Sequence, residues 1–236
     1  MSKVFQFKEF SVAQDHCAMK IGTDGVLLGA WVSLQHEFSV LDIGTGTGIL
    51  SLMMAQRSNA ELIDAIEIDG PAFEQAVQNF ENSPWGDRLF CYHASLQEFA
   101  DEIDDSYELI ISNPPFYTDQ HPSENNERTT ARFEDAMPFE HLTDAAAKLL
   151  APNGKFAVII PYKEKESFVA LALKNKLHLN RACSVKGNEN SPVKRSLLEF
   201  SFSEKTLQEE HLTIEIERHV YTEAYQNLVK DFYLKM

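Results

Sequence analysis

Apolar positions come in short runs, separated by stretches with helical spacing. Val40 to Ile43 is a brief apolar run that ends at glycines. Ile49 to Arg57 follows, rich in Leu, Met and Ala, and reads as a helix. Leu62 to Ile68 is the next strand-like run, and Pro71 opens a helix through about Glu81, proline being suited to a helix's first turn. Leu89 to His93 and Tyr107 to Ser112 are a third and a fourth strand. Phe139 to Leu150 predicts a helix stopped by Pro152-Asn153-Gly154. Lys155 to Ile160 is a fifth strand, and Lys165 to Lys176 a helix with an apolar face at Phe168, Leu171 and Ala172. Ala182 to Val185 and Leu197 to Phe202 bring the strands to seven. Thr213 to Glu217 is a weaker candidate, and Glu223 to Leu234 a terminal helix. Such alternation builds right-handed βαβ units. The pattern predicts an α/β fold: one domain over 1–236, with a mostly parallel seven-stranded sheet and helices on both faces. In such sheets ligands bind outside the carboxyl ends of the strands, so functional residues are sought there.

The first strand ends in Asp42-Ile43-Gly44-Thr45-Gly46-Thr47-Gly48. Glycines let the chain turn sharply and bring backbone amides near a ligand at the following helix. The dinucleotide spacing G-x-G-x-x-G fails in both registers, because the sixth position is Ile49 or Ser51. The pattern D-x-G-x-G-x-G resembles the loop of S-adenosylmethionine-dependent methyltransferases. That resemblance implies a cofactor site on Gly44, Thr45 and Gly46, with the Asp42 carboxylate near the cofactor's ammonium. Glu67, at the end of the second strand, is placed to accept from the ribose hydroxyls. Ile68 lies beside it, and Asp69 reads as a helix cap before Pro71. Ala94 and Ser95 follow the third strand. Similar proteins often carry Asp where Ser95 stands, to hold the adenine amino group. Lys20 and Thr23 belong to a segment that covers the cofactor in similar enzymes, and either side chain can bond its carboxylate.

The fourth strand ends in Asn113-Pro114-Pro115-Phe116. Two prolines after a strand make a rigid, extended bend without amide donors, so its carbonyls stay free to accept. Asn113 adds a side-chain acceptor, and Phe116 a flat apolar face. Together they make a slot for a planar group carrying NH2. The tetrapeptide resembles the signature of class I amino-methyltransferases, which implies a Rossmann-like fold. The stretch Phe10 to Trp31, Ser83-Pro84-Trp85, Ile110 to Tyr117, Ala131-Arg132 and Tyr221 to Tyr233 are similar to the bacterial tRNA1(Val) (adenine-37-N6)-methyltransferase family. The family has Tyr more often at Phe116. The resemblance implies methyl transfer from S-adenosylmethionine to an adenine N6 beside a valine anticodon. The alternatives with the same tetrapeptide are guanine-N2 rRNA and protein glutamine methylation. A non-catalytic binder of cofactor or RNA needs only the glycine loop.

Charge changes where RNA is expected to dock. The 236 residues carry 21 Lys and Arg against 36 Asp and Glu, net -15. Residues 1–120 hold 5 basic and 19 acidic residues, whereas Lys148 to Arg195 holds 10 and 3. An acidic body disfavours general nucleic-acid binding, but a local cationic face permits it. Lys163 and Lys165 follow the fifth strand and are the expected phosphate contacts of a tRNA anticodon stem-loop. Tyr117, Arg128 and Arg132 follow the base slot and are further substrate candidates. Cys17, Cys91 and Cys183 are scattered and odd in number, which fits a reducing cytoplasm and not a disulfide framework. The histidines form no metal pattern with them, so no metal is expected. No run is long enough to span a membrane, and the N-terminus lacks a signal h-region. A monomer is favoured.

Overall fold

A computed structural model describes residues 4–115 and 137–235. The chain opens with a small hairpin, β1 (Phe5–Gln6) and β2 (Ser11–Val12), and then helix α1 (Thr23–Trp31). β3 (Ser39–Ile43), α2 (Ile49–Arg57), β4 (Leu62–Glu67), α3 (Gly70–Glu81), β5 (Leu89–His93), α4 (Leu96–Glu102) and β6 (Tyr107–Ser112) alternate as the pattern requires. After the break come α5 (Phe139–Leu149), β7 (Leu150–Pro161), a 3-10 turn at Tyr162–Glu164 and α6 (Lys165–Lys174). β8 (His178–Asn188), β9 (Val193–Ser201), β10 (Gln208–Glu217), β11 (Val220–Tyr221) and α7 (Glu223–Val229) finish the chain.

Among the described residues the sheet has nine strands in the order β11-β10-β8-β9-β7-β6-β3-β4-β5, not the seven expected. Only β9 and β11 run against the rest. The extra strands, β10 and β11, lie at one edge. β10 reads QEEHLTIEIE and buries only Leu212, so its sequence carries little apolar signal. β7 also begins earlier than expected, passing through Pro152-Asn153-Gly154. Central β3 is buried at every position, as a strand covered on both faces must be.

Each face has its own core. Val26, Leu28, Leu52, Met53, Ala76 and Phe80 from α1, α2 and α3 pack on one side. Leu142, Ala146, Phe168 and Ala172 from α5 and α6 pack on the other, with Phe99 of α4. Among the described residues no helix is long and apolar enough to cross a membrane.

Candidate active site

β3, β4, β5, β6 and β7 are parallel and register side by side, so their carboxyl ends form one edge. The glycine loop lies on that edge between β3 and α2. Gly44, Gly46 and Gly48 have φ of 71, 56 and 82°, the left-handed region that an L side chain resists. A Cβ on Gly44 or Gly46 would meet nothing within 4 Å, so the loop leaves open space there. At Gly48 it would stand 2.5 Å from Phe80 Cε1, so glycine is also needed for packing.

The Asp42 side chain is fully buried at the base of the loop. Oδ2 accepts from Thr45 Oγ1 at 2.6 Å, Ser51 Oγ at 2.8 Å and Ser51 N at 3.1 Å. Thr45 is buried with it. Oδ1 has no hydrogen-bond partner among the described residues. Burial, eased by those hydrogen bonds and reinforced by Glu67, pushes its pKa up from 3.8 to about 6. Asp42 is thus a positioning residue that shapes the turn.

A folded-state pKa above the unfolded one means the native state binds the extra proton. The associated stability is fully present below pH 4 and is lost as pH rises through about 6. The loss is on the order of 3 kcal/mol. We expect Asp42→Asn to remove this fall from a urea-denaturation series between pH 4 and 7. A variant whose stability still falls like the wild type over that range would contradict the assignment.

Glu67 ends β4 and faces the same loop. Its Oε2 accepts from Gly46 N at 2.8 Å and its Oε1 from Asp69 N at 2.9 Å. Asp69 caps α3 by accepting from Ala72 N at 3.0 Å. Ile68, between these acids, is 53% exposed and offers an apolar platform at the edge. Ala94 joins it there, its N donating to Glu67 O at 3.2 Å. The Ser95 hydroxyl is engaged first as a helix cap. It accepts from Glu98 N at 3.2 Å and donates to Glu98 Oε2 at 2.8 Å. The adenine contact expected of it therefore has to share the hydroxyl with this capping box.

The segment before α1 is fastened beside the loop. Asn79 of α3 accepts from Ala13 N at 2.8 Å and donates to Ala13 O and Thr47 O at 2.9 and 2.8 Å. Gln75 accepts from His16 N at 3.2 Å. Cys17 is buried, and its thiol is raised to about 11 by burial and then by Glu67 and Asp69, so it stays protonated. Lys20 is exposed. Thr23 opens α1 behind the cap residue Gly22 and lines a cavity at the ends of β8 and β10. The sequence pattern does not single out Ser51 and Asn79, although each is a polar residue buried among apolar ones, Asn79 with Gln75 on the same face.

At the end of β6, the Ser112 hydroxyl donates to Ile43 O at 2.9 Å and ties the strand end to β3. Asn113 follows, with Pro114 buried and Pro115 half-buried. Asn113 Oδ1 is buried and has no hydrogen-bond partner among the described residues. Such an acceptor is costly to leave unpaired, and a donated N–H would satisfy it. Phe116, Tyr117, Arg128 and Arg132 lie outside the described residues. Lys163 and Lys165 follow β7 at the same edge, and each has an acid nearby: Glu164 and Glu209, both at 3.7 Å. Among the described residues no three His, Cys, Asp or Glu are grouped to hold a metal.

This fold and edge are those of a methyltransferase. The family model "Methyltransferase small domain" matches residues 17–183. A Flavobacterium johnsoniae protein named tRNA1(Val) (adenine(37)-N6)-methyltransferase is 57% identical, covering 99% of this chain and 100% of its own length. A Bacteroides fragilis protein of the same name is 43% identical, covering 98% of each. The chain therefore belongs to the methyltransferase small-domain family and, within it, to the tRNA1(Val) (adenine(37)-N6)-methyltransferase family. Among solved structures, one titled a "predicted O-methyltransferase" from Agrobacterium tumefaciens aligns with TM-score 0.69 at 17% identity, covering 89% of this chain and 96% of that one. Pyrococcus horikoshii TYW2 in complex with MeSAdo aligns with TM-score 0.60 at 16% identity, covering 86% and 72%. These two are similar in fold.

Proposed function

We propose that the chain transfers a methyl group from S-adenosylmethionine to N6 of adenine 37 in a valine tRNA, in the cytoplasm. The observation that carries it is the buried, unpaired Asn113 Oδ1 at the carboxyl end of β6, in a chain of this family. The edge fits the cofactor. Gly44 and Gly46 leave open space, Glu67 supplies a carboxylate and Ile68 an exposed apolar surface. These residues, with Thr45 and Ala94, would hold it; when bound it supplies a methyl group already activated on a sulfonium.

The rest is positioning by the chain itself. An aromatic amine is a weak nucleophile because its lone pair is delocalised into the ring. Asn113 Oδ1 accepts one N6–H, and the Pro114 carbonyl accepts the other. Both bonds favour a pyramidal nitrogen and direct its lone pair. Phe116 stacks on the adenine, which must leave its loop stack to enter. No strong base is needed beforehand: the amine becomes acidic only as the new C–N bond forms and the sulfonium's C–S bond breaks, and the proton then leaves to water.

Labelled methyl transfer to bulk tRNA, rRNA and total protein tests this reading. Label in tRNA alone supports it; label in rRNA or protein alone contradicts it. Docking has its own test. Lys163→Glu with Lys165→Glu should weaken tRNA binding and flatten its salt dependence by roughly 0.7–0.9 per lost phosphate contact, leaving cofactor binding unchanged. An unchanged affinity and slope would make these lysines a solvated surface only.

A further inference from the structure

We propose that a second pocket on the same sheet edge holds another unpaired nucleobase of the RNA; this rests on the tRNA reading above. The pocket is a cavity of about 540 Å³ whose walls carry Phe5, Tyr221, Tyr225 and Tyr233. It opens where β8 and β10 end, at Gly187 and Glu215. Glu215 registers with Asn188, the last residue of β8. β8 runs parallel to β6 and β7, because each of β8 and β7 is antiparallel to β9. The cavity is therefore on the edge that carries Asn113. β8 and β10 stand three and four strands from β6. At strand spacing that places the cavity about 14–19 Å from the base slot, near enough for one loop to reach both.

The lining chooses the ligand. The Tyr221 and Tyr225 rings are 5.3 Å apart and tilted, and Tyr233 meets Phe5 edge-on at 6.1 Å. Tyr225 is buried, so this wall is held in place. Tyr221 and Tyr233 remain half-exposed. A phosphate is disfavoured, because the Glu215 carboxylate lines the cavity. A base is suited, since every base offers a π-face to aromatic walls. Glu215 can accept from an exocyclic amino group. Lys235, exposed at the rim, can meet the backbone outside.

Tyr221→Ala tests the pocket, with Tyr221→Phe as the control that keeps the ring. Steady-state methylation of tRNA by the full chain should show KM for tRNA raised about 5–150-fold in Tyr221→Ala, with kcat and cofactor affinity near wild type. Tyr221→Phe should restore the wild-type KM. Independently of any variant, wild-type protein should quench or shift 2-aminopurine fluorescence at one unpaired anticodon-loop position besides the target. An unchanged KM in Tyr221→Ala, alongside active wild type, would overturn the pocket while leaving the tRNA reading intact. No fluorescence response at any other loop position would overturn it too. A wild type that methylates no tRNA would remove the reading of function itself, and this inference with it.

Discussion

Replacing Asn113 by Ala is expected to lower methyl transfer to tRNA by about 100–1,000-fold, the usual effect of deleting one preorganised hydrogen-bonding group at a reacting centre. Cofactor affinity should stay close to wild type. The split follows from where the side chain stands. Asn113 lies past the Ser112 anchor, on the strand next to β3, and its Oδ1 has nothing to accept from among the described residues. Among the described residues its Oδ1 makes no bond to the glycine loop, so its removal should leave the loop intact. Its acceptor work is done in the transition state, which makes the loss one of kcat. Asn113→Asp keeps an acceptor and should recover part of the rate. Near-normal turnover in Asn113→Ala would reduce the Asn-Pro-Pro bend to a structural turn.

Glu67→Ala is expected to weaken S-adenosylmethionine binding by roughly 5–150-fold, or about 1–3 kcal/mol, as calorimetry would read it. Two effects act together. The variant removes the carboxylate proposed to accept from the ribose hydroxyls, and it frees Gly46 N and Asp69 N, which that carboxylate now holds. Glu67→Gln keeps an acceptor for one of those amides and should fall between. Wild-type affinity in both variants would contradict the cofactor assignment at this edge.

What could be read from the sequence was local. The glycine loop, the cap at Asp69 and the Asn-Pro-Pro bend each announce themselves within a few residues of a strand end. They needed only the alternation of strands and helices to fall on one edge. Directions set by tertiary packing were not legible. Asp42 Oδ2 is held by Ser51, in the first turn of α2, which supplies two donors there. Helix α1 escaped because Gly25 through Trp31 are all buried, which erases the amphipathic stripe. A Cβ on Gly29 would stand 2.6 Å from Met53 Sδ, so its glycine serves close packing between α1 and α2. α4 has a readable start signal in Ser95 followed by Glu98, but its seven residues are too short to show a helical period. Thr213 to Glu217 reads as a weak strand because four of the ten β10 residues are glutamate, and pairing with β8 and β11 makes it one.

The central claim is that this edge methylates an adenine amine in tRNA. The most direct measurement incubates wild type and Asn113→Ala with unmodified tRNA and S-adenosylmethionine, then digests the RNA for nucleoside mass spectrometry and maps the modified position. The account predicts N6-methyladenosine at position 37 of a valine tRNA with wild type, and only traces with the variant. N2-methylguanosine, a methylated base elsewhere in the tRNA, or equal product from the variant would contradict it.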